Sequence, residues 1–313
     1  MTTSVEVISS AFNEEEAIFE LYERLSKVFE QEKNYTWKFV IFDNGSTDST
    51  WEKILSLSSG HSNITGYRMS RMFTLDAAFT AGMQQAAGDI AIIMASDLQD
   101  PPETIPLLLR EWESGIPHVA VRVSKRNEMS NSRKLLTKIF YKISNWASDG
   151  MIPENVSDFR LMDKIVYSAV NQMQERNRFM RGLIAWTGFP TVFVEIERPA
   201  RHSGRTKTSY YGLIKFSIKG IFANSNKPIS FISLSGFALS GLSLLSVLFF
   251  SALWLLNGVP FAGYGTIVGL IFLTFSLTLA VLGVIAEYVS LIYTEVRSRP
   301  HSFIWEKISS DKI

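Results

Sequence analysis

The stretch DIAIIMASDLQDPPE, residues 89–103, sets an apolar run directly against a polar cluster and two prolines. IAIIM reads as a buried strand, so Asp97, Gln99 and Asp100 stand where that strand ends. Asp100 precedes Pro101 and Pro102 and is expected to cap the helix PETIPLLLREWES, because an Asp before a first-turn proline satisfies free backbone N–H groups. Capping does not account for Asp97 or Gln99. In an open α/β sheet, polar side chains just past the carboxyl ends of strands line a ligand crevice.

Upstream, the same pattern recurs. SVEVISSAF reads as a buried strand and NEEEAIFELYERLSKVFEQ as an amphipathic helix with an acidic first turn. WKFVIFDNGSTDSTWEKILSLSS repeats strand, polar turn and helix, followed by the strand ITGYRMS and the helix LDAAFTAGMQQAAG. Alternating strands and helices predict a doubly wound, mostly parallel sheet of the Rossmann-like α/β class, with the polar clusters along one edge.

The second half has a different character. Of the 313 residues 46% are hydrophobic, and none between Lys227 and Glu287 is charged. Apolar stretches of roughly 20 residues can cross a bilayer as helices. NGVPFAGYG divides this run, predicting two transmembrane helices at Ile229–Leu256 and Thr266–Ala286, a hairpin over 229–288. MTTSVEVISS has neither a basic n-region nor a long apolar h-region and does not read as a signal peptide. Lys207, Lys215, Lys219 and Lys227 precede the first span, and Arg297, Arg299 and Lys307 follow the second. The large domain and both termini are therefore expected on the cytoplasmic side of a bacterial inner membrane.

Segment 133–150 and the juxtamembrane segment 206–228 interleave Lys and Arg with apolar and aromatic residues, the pattern of amphipathic helices lying on a lipid bilayer. The expected organisation is a soluble domain over 1–205, the two membrane segments, and a C-terminal tail over 289–313. Gly236, Ser240 and Ser243 could pack the first span against another helix, within the chain or across a homo-oligomer. The absence of cysteine excludes disulfide and thiolate chemistry, and a net charge of +1 gives no sign of nucleic-acid binding.

Four polar clusters carry the chemistry: FNEEE after the first strand, FDNGSTD after the second, SDLQD after the fourth, and SDFRLMDK further on, with RHSGRTK before the membrane. An Asp at a strand end can accept from a base N–H or a ribose hydroxyl. Carboxylate and carboxamide oxygens beside a diphosphate suit a hard cation, Mg²⁺ or Mn²⁺. The chain has no GxxxxGK[ST] loop and no GxGxxG after the first strand, which argues against a P-loop nucleotidase or a dinucleotide dehydrogenase.

Taken jointly with SRMFTLDAAFTAGM, RFMRGLIAWTG and IAEYVSLIYTEVRSRP, these motifs resemble the family 2 glycosyltransferases of GT-A fold, in particular the polyprenyl-phosphate glycosyltransferases that include dolichol-phosphate mannose synthase and the bactoprenol glucosyltransferases. The resemblance implies inverting transfer of a sugar, glucose from UDP-glucose by subgroup, to undecaprenyl or another polyprenyl phosphate, for envelope modifications such as O-antigen. It also implies roles: Phe12, Glu14 and Asp43 contact the nucleotide; Asp97 and Gln99 hold the metal and diphosphate; Asp158 lies on the acceptor side of the reaction centre; Arg201, Arg205 and Lys207 receive phosphate groups. This chain departs from the family at Ala95, where the first Asp of an Asp-x-Asp is usual, and at Met72, Leu75 and Arg205. The alternatives are a processive polysaccharide synthase, whose QxxRW signature is absent, and a catalytically silent, membrane-anchored nucleotide-sugar binder.

Overall fold

The computed structural model describes residues 2–124, 155–176, 178–197 and 263–309, with isolated positions between 234 and 256. The strands are β1 (Thr3–Ala11), β2 (Tyr35–Asp43), β3 (Ile64–Met69), β4 (Ile90–Ala95), β5 (His118–Val123), β6 (Val156–Asp163), β7 (Thr191–Ile196) and β8 (Ile304–Ser309). The helices are α1 (Ile18–Gln31), α2 (Thr50–Gly60), α3 (Leu75–Gln85), α4 (Ile105–Glu113), α5 (Lys164–Gln172), α6 (Met180–Trp186) and α7 (Tyr264–Arg297).

All eight strands join one sheet in the order β7-β5-β6-β4-β1-β2-β3-β8. β1 pairs in parallel with β2 and β4, and β2 with β3, as the alternation of strands and helices predicts. Beyond β4 the pattern breaks: β6 inserts antiparallel between β4 and β5, and β8 adds antiparallel to β3, so the sheet is mixed. β1 lies near the centre of the sheet and is buried on both faces from Val5 to Ala11. Val5, Val7 and Ala11 join one buried cluster with Ile18, Leu21 and Leu25 of α1, Trp51 and Ile54 of α2, and Leu108 and Leu109 of α4. Ile8 faces the opposite side with Val40 and Phe42, against Phe79 of α3, Val166 of α5 and Leu183 of α6. Strands buried on both faces read as continuous apolar runs, which is what made them legible.

Three local expectations change. α1 begins at Ile18 rather than near Asn13, because residues 13–15 are engaged by the β2–α2 loop: Asn13 N–H donates to Ser46 Oγ at 3.0 Å and Glu14 N–H to Thr50 Oγ1 at 2.9 Å. Asp100 does not cap the next helix, which opens as a 3₁₀ turn at Pro102 with Pro101 in the cap position and no side-chain cap. Asp100 is instead fully buried and accepts from Ser157 Oγ at 3.1 Å. The segment expected as a tail contains β8, tied at its start by Ser70 N–H donating to Phe303 C=O at 2.9 Å.

Of the two expected membrane spans, one falls among the described residues. Leu270–Arg297 of α7 covers 28 residues, an 18-residue window of which has a mean hydropathy of 2.2 and is not buried; it is the one helix among the described residues long and apolar enough to cross a membrane. At ~1.5 Å per residue its length exceeds the roughly 30 Å hydrocarbon core of a bilayer. The expected span Ile229–Leu256 lies mostly outside the described residues; the isolated positions described within it are helical. Segments 133–150 and 206–228 lie outside the described residues.

α3 rests on β1 through Gly82, where an added Cβ would meet Ile8 Cγ2 at 2.4 Å and Phe42 Cε2 at 3.3 Å. Gly82→Ala is expected to lower stability by about 1–3 kcal/mol through overpacking. Chemical denaturation of the detergent-solubilised protein measures this, and an unchanged midpoint would show that the contact yields freely.

Candidate active site

The carboxyl ends of the parallel strands β1, β2 and β4 point to one edge, and antiparallel β6 begins there. At that edge the loop after β1 and the loop after β2 are laced together. Asn13, in the left-handed region at φ 52°, accepts from Thr47 N–H at 2.9 Å through Oδ1, and Asn44 N–H donates to Ala11 C=O at 2.8 Å. The Asn44 amide clamps the β3–α3 loop, accepting from Phe73 N–H at 2.9 Å and donating to Phe73 C=O at 3.0 Å. Gly45 lets this clamp close: its φ is 76°, and a Cβ there would meet the Arg71 backbone at 2.5 Å. A side chain would therefore be strained twice over.

Phe12 and Glu14 sit half-buried in the first of these loops. Asp43 ends β2 with no exposure to solvent. Its Oδ1 accepts from Ser46 N–H at 3.0 Å, and its Oδ2 lies 3.5 Å from Arg68 Nε without the geometry of a hydrogen bond. Burial raises its pKa, and the Ser46 hydrogen bonds and the Arg68 charge oppose the shift. Asp43 Oδ2 is thus buried beside Arg68 with no hydrogen bond among the described residues.

The loop after β4 is shaped by Leu98, at φ 59°, and by Gln99 N–H donating to Asp97 Oδ1 at 3.2 Å. Asp97 and Gln99 are half-buried on either side of the buried Leu98. Beneath them the hydroxyls of Ser9 and Ser96 bond at 2.7 Å, joining β1 to the start of the loop. The Ser157–Asp100 hydrogen bond fastens the far side of the loop to β6 and so to Asp158.

Asp158 is held by Arg181 of α6 in a bidentate pair, Nε to Oδ1 at 2.7 Å and Nη2 to Oδ2 at 2.9 Å, while Arg160 Nη2 is farther at 3.7 Å. Such planar fork-to-fork pairs fix geometry as well as charge. Arg160 is 2% exposed, and burial pushes its pKa down to about 10 against the pull of Asp158. Asp76, in the first turn of α3, completes the cluster. Burial and then the Asp158 charge push its pKa up to about 6, opposed by Met180 N–H, which donates to its Oδ1 at 3.2 Å.

The strand-end residues read from sequence therefore share one edge, with Asp158 tied to the Asp97 loop. Arg201, Arg205 and Lys207 lie outside the described residues. Asp76 and Arg181 were not singled out, although both stand in motifs that carry the family resemblance; their role depends on α3 and α6 converging on β6. Among the described residues no group of three or more His, Cys, Asp or Glu side chains could hold a metal ion. Asp97 and Gln99 offer two hard oxygen donors, with a methyl group at Ala95, and that set fits a cation bound by one or two protein groups and completed by substrate phosphates.

This architecture is an α/β sheet with polar side chains gathered at the carboxyl edge of its parallel strands, the place where open α/β sheets bind ligands. The chain belongs to glycosyl transferase family 2, whose model matches residues 6–170. It is a glycosyltransferase with a GT-A-like mixed sheet. It is 35% identical to an uncharacterized glycosyltransferase of Synechocystis sp., over 96% of this chain and 94% of that protein. It is 32% identical to the SfII prophage-derived bactoprenol glucosyl transferase of Shigella flexneri, over 96% and 97%. It is also 32% identical to the prophage bactoprenol glucosyl transferase homolog of Escherichia coli K12, over 96% and 98%. Among solved structures it is similar to the glucosyl-3-phosphoglycerate synthase of Mycobacterium tuberculosis in complex with Mn²⁺, uridine diphosphate and phosphoglyceric acid, with a TM-score of 0.49, 16% identity, and coverage of 70% of this chain and 75% of that one.

Because the folded-state pKa of Asp76 lies above its ordinary 3.8, the folded protein holds this proton more tightly than the unfolded chain. Its contribution to stability is complete below pH ~4 and is lost as the pH rises through about 6. The full shift corresponds to ~3 kcal/mol at ~1.4 kcal/mol per pH unit, and water reaching the half-buried side chain reduces it to about 2 kcal/mol. Asp76→Asn, which keeps the acceptor for Met180, is expected to remove this dependence and to be more stable than the parent at pH 8 but not at pH 4. Parallel pH curves for the two proteins in denaturant titrations would refute this assignment.

Proposed function

We propose that the chain transfers a sugar from a nucleotide diphosphate, UDP-glucose in the first instance, to the phosphate of a polyprenyl lipid such as undecaprenyl phosphate. The observation that carries this reading is that α7, apolar and of membrane-spanning length, leads within seven residues into β8 of the same sheet whose central strands bear the strand-end site. A sugar transferase built into the end of a membrane-length helix is suited to an acceptor whose phosphate lies at headgroup level. The names of the Shigella and Escherichia relatives, bactoprenol glucosyl transferases, support a glucosyl group and a polyprenyl acceptor.

In this reading residues 1–205 form the catalytic domain, with β8 as a late addition to its sheet. Segments 133–150 and 206–228 lie on the bilayer, 229–288 is a two-helix anchor, and both termini are cytoplasmic. Phe12, Glu14 and Asp43 would hold the nucleoside and Arg201, Arg205 and Lys207 phosphate groups. Asp97 and Gln99 would hold Mg²⁺ or Mn²⁺, which when bound supplies positive charge against the diphosphate.

The acceptor phosphate monoester has a second pKa of about 6 and is largely dianionic at neutral pH. Its oxygen forms the bond to the anomeric carbon as the bond from that carbon to the donor diphosphate breaks. The diphosphate leaves with the electron pair, and a single displacement inverts the anomeric centre. No strong general base is needed. Asp158, clamped at both oxygens by Arg181, is suited to orienting groups rather than to accepting a proton.

The test is transfer of radiolabelled sugar from a panel of UDP- and GDP-sugars into undecaprenyl phosphate by the purified full chain, with and without Mg²⁺ or Mn²⁺. A metal-dependent lipid product from one donor is expected. No product from any donor, with nucleotide binding intact, would favour the silent binder. Asp97→Asn is expected to reduce transfer at least ~100-fold without altering membrane insertion, on the scale of losing a group that stabilises developing charge; full activity would sink the metal assignment. Lys207→Ala is expected to raise the KM for the acceptor more than that for the donor, and equal effects would count against an acceptor role.

A further inference from the structure

A cavity of about 270 Å³ opens where α7 meets the catalytic domain, lined by Arg176, Arg178, Arg297, Arg299 and His301, with Thr74 at the start of α3. No carboxylate is among its described lining residues. Four guanidinium groups around so small a volume repel one another; Glu175 and Asp76 act on Arg178 and Glu295 on His301 from nearby, but none of these carboxylates lines the cavity. The nearest acid on α7, Glu295, is already engaged, accepting from Arg176 N–H at 2.9 Å through both carboxylate oxygens.

Arg178 makes the case specific. Only 8% exposed, it uses Nη2 to donate to Val170 C=O at 2.5 Å and Met173 C=O at 3.3 Å. Its Nε and Nη1 are buried without a hydrogen-bond partner among the described residues. Leaving charged donors unsatisfied in the interior is costly, and a guanidinium presents its N–H groups in a planar fork that matches phosphate oxygens. Arg297 is steadied over the Tyr293 ring at 5.7 Å, and the first-turn N–H groups of α3 add positive potential beside Thr74. His301 is held below its ordinary pKa by burial, then by Arg178 and Arg176, so at neutral pH it can accept or donate a hydrogen bond without adding charge.

We infer that this cavity is a phosphate-binding site, separate from the strand-end site, at which Arg176, Arg178, Arg297 and Arg299 hold a phosphate group at the joint between the apolar helix and the catalytic sheet. The phosphate could belong to the headgroup of an anionic phospholipid, reached along α7, or to a soluble phosphate or diphosphate. Filling the site would bridge α7, the 176–178 segment and the start of α3, stiffening the connection between membrane and catalytic edge. The inference does not depend on the transfer reaction, because its test reads binding.

The full chain is placed in phosphatidylcholine nanodiscs and titrated calorimetrically with inorganic pyrophosphate, without metal or donor. In parallel, lipid retained after detergent extraction is measured by native mass spectrometry, comparing phosphatidylglycerol with phosphatidylcholine. Binding of at least one of pyrophosphate and phosphatidylglycerol is expected. R297Q/R299Q, two surface changes that leave the core intact, is expected to weaken it about 100-fold, at about tenfold per charge-assisted contact. Because Arg297 and Arg299 are outside the strand-end site, loss of binding in R297Q/R299Q separates this site from that one. Arg178→Lys, which keeps charge but loses the fork, should weaken it about tenfold. Phosphatidylglycerol retention alone identifies the lipid headgroup as the source, and pyrophosphate binding alone the soluble phosphate. No binding of either probe, or equal binding by R297Q/R299Q, overturns the inference.

Discussion

Burial of β1 on both faces is the constraint on which the rest of the molecule depends. With Val5, Val7 and Ala11 closed off on one side and Ile8 on the other, the strand has no free face, and its inner polar groups, Glu6 and Ser9, are satisfied within the protein. Its neighbours β2 and β4 run parallel to it and are equally buried, so their polar groups are expelled to the same edge. The polar edge follows from sheet burial: Asp43, Asp97 and Gln99 share it because they stand at the carboxyl ends of buried parallel strands.

Electrostatics divides that edge into two environments. Around Asp97 and Gln99 the side chains are half-buried oxygen donors, suited to a cation and a diphosphate. Around Asp158 the charges are already matched, with Arg181 and Arg160 on one side and Asp76 on the other, the last largely dependent on burial and on its neighbour for its protonation state. A carboxylate held at both oxygens is a poor proton acceptor and a good locator. A phosphate nucleophile asks for the second property rather than the first.

The joint between α7 and the sheet ties a helix of membrane-spanning length directly to the enzyme's fold. Ser298, in the left-handed region at φ 50°, ends the helix and turns the chain toward β8. β8 then pairs with β3, and Lys307 lies over the Tyr67 ring at 5.4 Å. With the Arg176–Glu295 contact, this links helix and site through a few residues, and it is here that the arginine-lined cavity lies.

By itself the sequence determined what local periodicity and composition can encode. The runs SVEVISS, KFVIFD, ITGYRM and IAIIM specified four buried strands, the residues after them specified a polar edge, and the charge-free stretch before Glu287 specified an apolar helix. Only the tertiary structure decided that β6 enters antiparallel, that IWEKIS closes the sheet instead of trailing from it, that Asp100 bonds Ser157 rather than capping a helix, and that Asp158 answers to Arg181 rather than to the nearby Arg160. The physical reason is separation along the chain. Side-chain periodicity fixes a segment's own conformation and its buried face, whereas strand order, ion-pair partners and the convergence of Arg178 with Arg297 and Arg299 are set by contacts between segments that no local pattern links.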